Sequence, residues 1–339
     1  MKKKIDWKNI GFSYMDTGCY VKAEYKNGRW HDIKPCKNPM ISLHLAATCM
    51  HYGQACFEGL KAFTRKDGTV ACFRPQENAQ RMIVTARRLL MEPPSAELFL
   101  EAVITAVKKN PAYMPPYGTG ASLYVRPFLI GTSAHVGLHP SEEYAFFVLV
   151  TPVGPYYKNG FYPIKAVIQQ DYDRAAPRGV GNVKVAGNYA AGMKPDFEAK
   201  AQGYPISLYL DSATRTYIDE FSTSNFIAIT GDNKFVTPVS TSILSSITNK
   251  SLQELAKDFG LTVEKRQVHV SELGYFKEVG ACGTAAVITP IYSITHGNKV
   301  FTFGEEKKAG ETLTRLYKEL QVIQYGEKED RHEWMVPVK

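Results

Sequence analysis

Apolar and polar positions follow two rhythms along this chain, and the rhythm marks the elements. Residues 21–25 and 70–73 are short apolar runs that predict strands, whereas after Pro75 the positions Ala79, Met82, Ile83, Ala86 and Leu90 recur at helical spacing. A second helix is expected after Ser95, whose hydroxyl suits an N-cap, with Phe99, Ala102, Val103, Ala106 and Val107 on one face. Residues 122–130 read as a strand despite Pro127. Side chains alternate in a strand, so Tyr124 and Arg126 share a face, and a charge beside a tyrosine there needs a partner or a ligand. The unbroken apolar run 144–150 has the pattern of a buried strand.

Beyond this run strands dominate, with segments 164–169, 206–210, 224–229, 235–238, 285–288 and 291–295 all strand-like. One helix is expected over about 189–202, interrupted near Pro195, and another over 249–259, with Leu252, Leu255, Ala256 and Phe259 inward and Gly260 at its end. The Pro- and Gly-rich stretch 151–163 follows a strand, where a domain boundary is expected. The predicted organisation is therefore a smaller N-terminal α/β domain over 1–150, a linker over 151–163 and a larger C-terminal domain over 164–339. The fold class is α/β, of the mixed α+β kind, with mixed sheets and flanking helices.

Composition narrows the function classes. A chain of 339 residues suits two domains of about 150 each, and 44% hydrophobic with 12% aromatic residues can build a core. The net charge of +8 suits an anionic ligand, but it is spread along the chain, which argues against nucleic acid as partner. Lys2, Lys3 and Lys4 are followed by Asp6, Lys8 and Asn9 instead of an apolar stretch, and no run approaches the length of a membrane span. A soluble, cytoplasmic protein is expected. The six cysteines lack C-x-x-C spacing and are expected as reduced thiols. His135 and His139 enclose Gly137 and precede Pro140, the pattern of a loop, so no metal site is expected.

Four segments carry candidate chemistry. Lys184 stands among small residues in 181–189, between a turn and a helix; it is either an exposed lysine beside a turn or a desolvated amine able to form a Schiff base. Ser245, Ser246, Ile247 and Thr248 precede a helix, where backbone amides could hold a phosphate or Thr248 could simply cap. Asp219 and Glu220 stand ahead of an apolar strand, either in a solvated turn or buried against a cation such as a protonated pyridine nitrogen. Gly283, Thr284, Ala285 and Ala286 offer small residues at a strand start, where amides can approach a carboxylate or phosphate.

Together these motifs resemble the branched-chain aminotransferases of the fold-type IV pyridoxal-phosphate enzymes, over about Tyr14 to Pro290. The resemblance rests on residues 52–59, the helix around Arg81, Tyr124-Val125-Arg126-Pro127, the string from Lys184 to Tyr189, Glu220 to Asn225, Ile247-Thr248 and Gly283-Thr284-Ala285. It implies pyridoxal 5'-phosphate as cofactor, held in the C-terminal domain by Lys184, which also shuttles the proton between the substrate α-carbon and the cofactor. Glu220 is then the partner of the pyridinium nitrogen and Tyr189 of the phenolic oxygen. Arg81, Ile247, Thr248 and Thr284 hold the phosphate, with Thr223, Leu244 and Ser246 also at the cofactor.

For the substrates, the resemblance implies a pocket of Phe57, Tyr124, Tyr156, Ala285, Tyr14 and Tyr52, with Thr284 and Ala285 binding the α-carboxylate. Arg126 with Tyr52 takes the distal carboxylate of glutamate. Leu138, in the loop with Gly137, resembles a residue that reaches the partner subunit, which implies a homodimer. The activity implied is reversible transfer of the amino group of leucine, isoleucine or valine to 2-oxoglutarate. The alternative on the same fold is a D-amino-acid or amine transaminase. Such enzymes usually lack the Gly-Asn-Tyr after the lysine and the Phe-Glu-Gly present here. Three departures stand out: Ser245-Ser246 where Pro-Gly is common, Ser222 in place of a glycine, and Ala286 and Thr289 in place of a C-x-x-C pair.

Overall fold

The computed structural model describes residues 5–7, 9–154 and 160–339. Its contacts divide the chain into two compact units, Met1–Lys158 with Val183–Gly187 and Val322–Lys339, and Asn159–Asn182 with Asn188–Gln321. Among the described residues no helix is long and apolar enough to cross a membrane.

The first unit contains β1 (Tyr20–Lys26), β2 (Arg29–Trp30), β3 (Lys34–Cys36), α1 (Thr48–Tyr52), β4 (Ala55–Phe57), β5 (Leu60–Thr64), β6 (Val70–Phe73), α2 (Pro75–Arg88), α3 (Ala96–Lys108), β7 (Ser122–Gly131) and β8 (Tyr144–Val153). Its antiparallel sheet runs from the C-terminal strand Met335–Pro337 through β6, β5, β7, β8 and β1 to β2, with β4 on β7 and β3 on β1. One sheet face presents Leu123, Val125, Phe146 and Val148 to Met82, Phe99 and Val103 of α2 and α3. The other face carries Tyr124, Arg126 and Phe128, opposite Thr151, Leu149 and Phe147 on β8.

Ser95 caps α3 as expected, accepting from the Leu98 amide at 3.1 Å. Pro127 is tolerated because its carbonyl, and hence its missing N–H, points to the edge where β4 gives way to β5; there it accepts from the Glu58 amide at 2.7 Å. Two boundaries differ from expectation. Leu90 lies past the end of α2 with φ 52° and 70% exposure, and Thr85 is buried on α2. β8 continues to Val153, where it pairs with Ser122, so 151–153 are strand, and residues 155–159 lie outside the described residues. The lysine segment expected in the C-terminal domain packs with the first unit: Val185 bridges Cys56, and Lys184 donates its amide to Thr85 Oγ1 at 3.1 Å.

The second unit contains β9 (Ile164–Ile168), α4 (Ala186–Ala201), β10 (Ile206–Leu210), β11 (Ile218–Phe221), β12 (Ser224–Thr230), β13 (Lys234–Pro238), α5 (Ile247–Asp258), β14 (Thr262–Arg266), β15 (Phe276–Gly283), β16 (Val287–His296), β17 (Lys299–Thr302) and α6 (Glu311–Gln324). The strand order is β11-β10-β9-β16-β15-β12-β13-β14 with β17 on β16, and β11 also pairs with β12, which closes six strands into a ring around Phe221, Phe226, Leu208 and Ile168. Pro195 sits inside α4 as expected. Three details differ. The strands expected at 285–288 and 291–295 are one strand, and 284–286 form the turn before it. Ser246, not Thr248, caps α5, which starts at Ile247. Strands β11, β14, β15 and β17 and helix α6 have no counterpart among the elements expected from the sequence.

Phe99 is buried and stacks on Phe146 with ring centroids 5.8 Å apart. Phe99→Ala is expected to cost about 3–5 kcal/mol through lost burial and a residual cavity, measured by urea unfolding; a loss below about 1 kcal/mol would mean that the face collapses around it.

Candidate active site

In the first unit, the turn between β4 and β5 organises a cluster of charges. The Phe57 amide donates to the Lys184 carbonyl at 3.2 Å, and the Lys184 amine stands over the Phe57 ring, 4.8 Å from its centroid. The Arg126 guanidinium lies 4.8 Å from the same centroid and donates to the Tyr124 hydroxyl at 3.0 Å. Gly59 makes this possible, since a Cβ there would lie 2.1 Å from the Tyr124 hydroxyl oxygen. Part of Lys184 remains accessible, but its amine is enclosed. Burial lowers its proton affinity to about 8, helped by Arg81 and Arg126 and opposed by Glu58 and Tyr124.

Arg81 is bound by a carboxylate the sequence reading gave no role. Its Nε and Nη2 donate to Glu58 Oε1 and Oε2 at 2.8 and 2.7 Å, and Glu58 is completely buried. Lys61, also without a role in that reading, pairs across the sheet with Tyr124, and burial lowers it to about 8. The signals were present: a lone carboxylate and a lone lysine each stand in the apolar run from Cys56 to Phe63.

Of the other residues expected at the substrate, Phe57, Tyr124 and Arg126 come together. Phe12, not Tyr14, packs edge-on against Tyr124, with centroids 5.1 Å apart. Tyr14 is 62% exposed and lines a cavity of about 350 Å³ with Phe128, Phe147 and Leu149, which share the sheet face of Arg126. The Tyr52 hydroxyl donates to the Val136 carbonyl in the loop of Leu138, which is itself 85% exposed. Tyr156 lies outside the described residues. In the same loop His135, His139 and Glu142 bring donor atoms within 4.8 Å of one another. His139 and Glu142 are exposed, and exposed groupings of this kind are common without an ion.

In the second unit the polar groups gather at one end of β11, β12 and β15. Asp219 and Glu220 lie on β11 and are both buried, which removes the alternative of a solvated turn. Glu220 accepts from the Leu244 amide at 3.0 Å and from Asn225 Nδ2 at 2.6 Å, and it pairs with Arg174 at 3.0 Å. Burial nevertheless pushes its carboxyl up to about 7. Asn249 of α5 donates to Asn225 Oδ1 at 3.1 Å, which ties the helix N-terminus to this carboxylate. Ile247 and Thr248 occupy the first turn behind the Ser246 cap, where amides lack helical acceptors. Thr223 is exposed in the β11–β12 turn beside Gly283, and Thr284 and Ala285 lie half-buried in the next turn. Val287, which ends that turn, has φ 65°, a strained conformation for a β-branched residue. Tyr189 is half-buried in the first turn of α4.

A family model described as amino-transferase class IV matches residues 55–294. The chain is 47% identical to the branched-chain-amino-acid aminotransferase of Haemophilus influenzae over 99% of this chain and 100% of that protein. It is 46% identical to that of Helicobacter pylori, over 99% and 98%. Among solved structures, the branched-chain amino acid aminotransferase of Escherichia coli is 26% identical, with a TM-score of 0.77 over 95% of this chain and 99% of that one. A T.th. branched-chain amino acid aminotransferase solved with pyridoxamine 5'-phosphate is 25% identical, with a TM-score of 0.79 over 94% and 98%. The chain belongs to the class IV aminotransferases.

The ion pair in the second unit makes a pH-dependent prediction. Glu220 is raised from 4.5 to about 7, so its contribution to stability is fully present below 4.5 and is lost as pH rises through 7. Arg174 opposes that loss. Arg174→Gln should therefore lower the unfolding free energy by about 3 kcal/mol at pH 8 but only about 1 kcal/mol at pH 5, read by urea titration at both; an equal loss at both would exclude charge pairing as its contribution.

Proposed function

We propose that this chain is a pyridoxal-phosphate-dependent transaminase that reversibly transfers the amino group of leucine, isoleucine or valine to 2-oxoglutarate, giving glutamate and the branched-chain 2-oxo acid. The observation that carries this reading is the Phe57 ring, with the Lys184 amine and the Arg126 guanidinium each 4.8 Å from its centroid. It is an apolar surface bounded by a nucleophile and by a cation suited to a carboxylate. The full-length relatives at 46–47% identity support the substrate class, and the T.th. complex with pyridoxamine 5'-phosphate supports the cofactor.

The residues fit the cofactor. An aldehyde on a protonated pyridine with a phosphate calls for an amine that is neutral near pH 8, a buried carboxylate lacking full compensation, and phosphate donors. Lys184, lowered to about 8, and Glu220, raised to about 7, meet the first two, and the α5 first turn meets the third. Bound pyridoxal phosphate supplies the carbon that receives the amino group and a ring that spreads the electrons released at the substrate α-carbon. Lys184 Nζ would hold it and, as the free amine, would take up the proton released at the substrate α-carbon.

Glu220 keeps the proton on the ring nitrogen, and Tyr189 hydrogen-bonds the phenolic oxygen. Arg81, the Ile247 and Thr248 amides, the Thr248 hydroxyl and Thr284 hold the phosphate, with Thr223, Leu244 and Ser246 beside them. Phe57, Tyr124, Tyr14, Tyr156 and Ala285 line the side-chain pocket, and the Thr284 and Ala285 amides bind the α-carboxylate. Arg126 with Tyr52 takes the distal carboxylate of glutamate. A buried Arg126 Nε with no hydrogen bond among the described residues supports that assignment.

The chain is further read as a cytoplasmic homodimer in which Leu138 meets the partner subunit. Support comes from Leu45, Met50, Val136 and Leu138, all 64–85% exposed, and from six free cysteines.

A panel of L- and D-leucine, isoleucine and valine with 2-oxoglutarate tests the reading. Turnover of the L-enantiomers is expected; turnover of D-enantiomers alone would replace it with the D-amino-acid alternative. Lys184→Ala should lower kcat by at least about 10³-fold. Arg126→Leu should lower kcat/KM for glutamate by about 10²-fold while changing that for leucine several-fold at most.

A further inference from the structure

Glu58 takes no part in the chemistry above, yet its surroundings are the most heavily engaged in the first unit's charge cluster. It is 0% exposed. Its carboxylate receives Arg81 through two bonds of 2.8 and 2.7 Å, Asn78 Nδ2 at 2.7 Å and the Gly59 amide at 3.4 Å, while its own amide donates to the Pro127 carbonyl at 2.7 Å. Asn78, Arg81 and Thr85 recur at i, i+3 and i+7 and so share one face of α2. The first two hold Glu58, and the third accepts the Lys184 amide at 3.1 Å. From the other side, the Phe57 amide holds the Lys184 carbonyl at 3.2 Å, and Cys56 bridges Val185. The lysine backbone is thus gripped by the helix face that Glu58 docks and by the residue next to Glu58 in sequence.

We propose that Glu58 is the positioning residue of the lysine site: its carboxylate locks Arg81 and the α2 face onto the Phe57–Gly59 turn and supplies the negative charge that offsets Arg81 beside the Lys184 amine. The charged and titratable groups around that amine come from three elements, Arg81 on α2, Tyr124 and Arg126 on β7, and Glu58 in the turn. Arg81 and Arg126 favour the neutral amine, and Glu58 and Tyr124 favour the protonated one. Glu58 keeps the balance near neutrality, so that the amine can both lose and regain a proton within the working range. The functional meaning of this balance rests on Lys184 being the cofactor lysine; the balance itself does not.

The test is the pH midpoint of Lys184 acetylation by acetic anhydride in the full chain without added cofactor, read on the Lys184 peptide by mass spectrometry. The unaltered chain should give a midpoint near 8. Glu58→Gln leaves Arg81 unopposed and should move the midpoint down by about one unit, so that labelling at pH 7 rises several-fold. Arg81→Gln should move it up by a similar amount, and the double variant should return to within about half a unit of the parent. A purely structural role predicts a different pattern: any of the variants loosens the site, and all midpoints rise toward an exposed lysine. An upward or absent shift in Glu58→Gln overturns the proposal. If either single variant fails to fold, the double variant, which leaves no unpaired buried charge, decides: a midpoint near the parent's supports the proposal, and a rise of more than about one unit overturns it. The substrate panel tests the proposed function separately, so failed midpoints with intact leucine turnover remove only the role of Glu58, and the reverse removes only the function.

Discussion

A carboxylate taken out of water has to be answered by cations and donors, and among the described residues Glu58 and Glu220 are the two buried carboxylates that pair with an arginine. Glu58 in the first unit is answered by Arg81, Asn78 and a backbone amide; Glu220 in the second is answered by Arg174, Asn225 and a backbone amide. Removing one partner from such a group costs about 3–5 kcal/mol, more than most single contacts contribute. Each carboxylate consequently dictates the geometry around it. Glu58 joins the β4–β5 turn to α2, and Glu220 joins β11 to β12 and, through Asn225 and Asn249, to the start of α5.

The two carboxylates are nevertheless held in different geometries. Arg81 meets Glu58 with two parallel bonds, the strongest geometry an arginine offers. Arg174 meets Glu220 through one nitrogen, which it also shares with the carbonyls of Gly181 and Ser242, and its Nε is buried with no hydrogen bond among the described residues. Burial pushes Glu220 up to about 7 even though Arg174 opposes the rise. A carboxylate held short of full compensation is suited to a second cation, whereas one fully engaged is suited to holding other groups still. The first unit combines that stillness with tension: two cations share one phenylalanine ring, and burial, with Arg81 and to a lesser degree Arg126 beside it, lowers the lysine amine to about 8.

Elements with strong, uninterrupted periodicity were legible in the sequence. The α3 stripe with its Ser95 cap, the strands at 70–73 and 206–210, and the shared face of Tyr124 and Arg126 follow from local pattern alone. The stripe Leu313, Leu316, Leu320 and Ile323 is equally regular, so α6 was legible on the same grounds although the sequence reading did not include it. Other features are non-local. Segment 183–187 belongs with the first unit because Val185 bridges Cys56, more than a hundred residues away, and no local rhythm announces such a pairing. Arg174 stands in a polar stretch where nothing marks it as the partner of Glu220. Glu58 was legible in principle, since a carboxylate inside Cys56-Phe57-Glu58-Gly59-Leu60 has the same apolar company that singled out Glu220.

The chemistry depends on the identity of one amine. Two lysines of the first unit, Lys184 and Lys61, are enclosed and lowered to about 8, so low proton affinity alone does not choose between them. The decisive measurement is borohydride reduction of the full chain loaded with pyridoxal 5'-phosphate, followed by digestion and peptide mapping by mass spectrometry. The reduced adduct is expected on Lys184, with none on Lys61 and none on that peptide in Lys184→Ala. An adduct on Lys61 or on any other lysine, with Lys184 unmodified, would contradict that expectation.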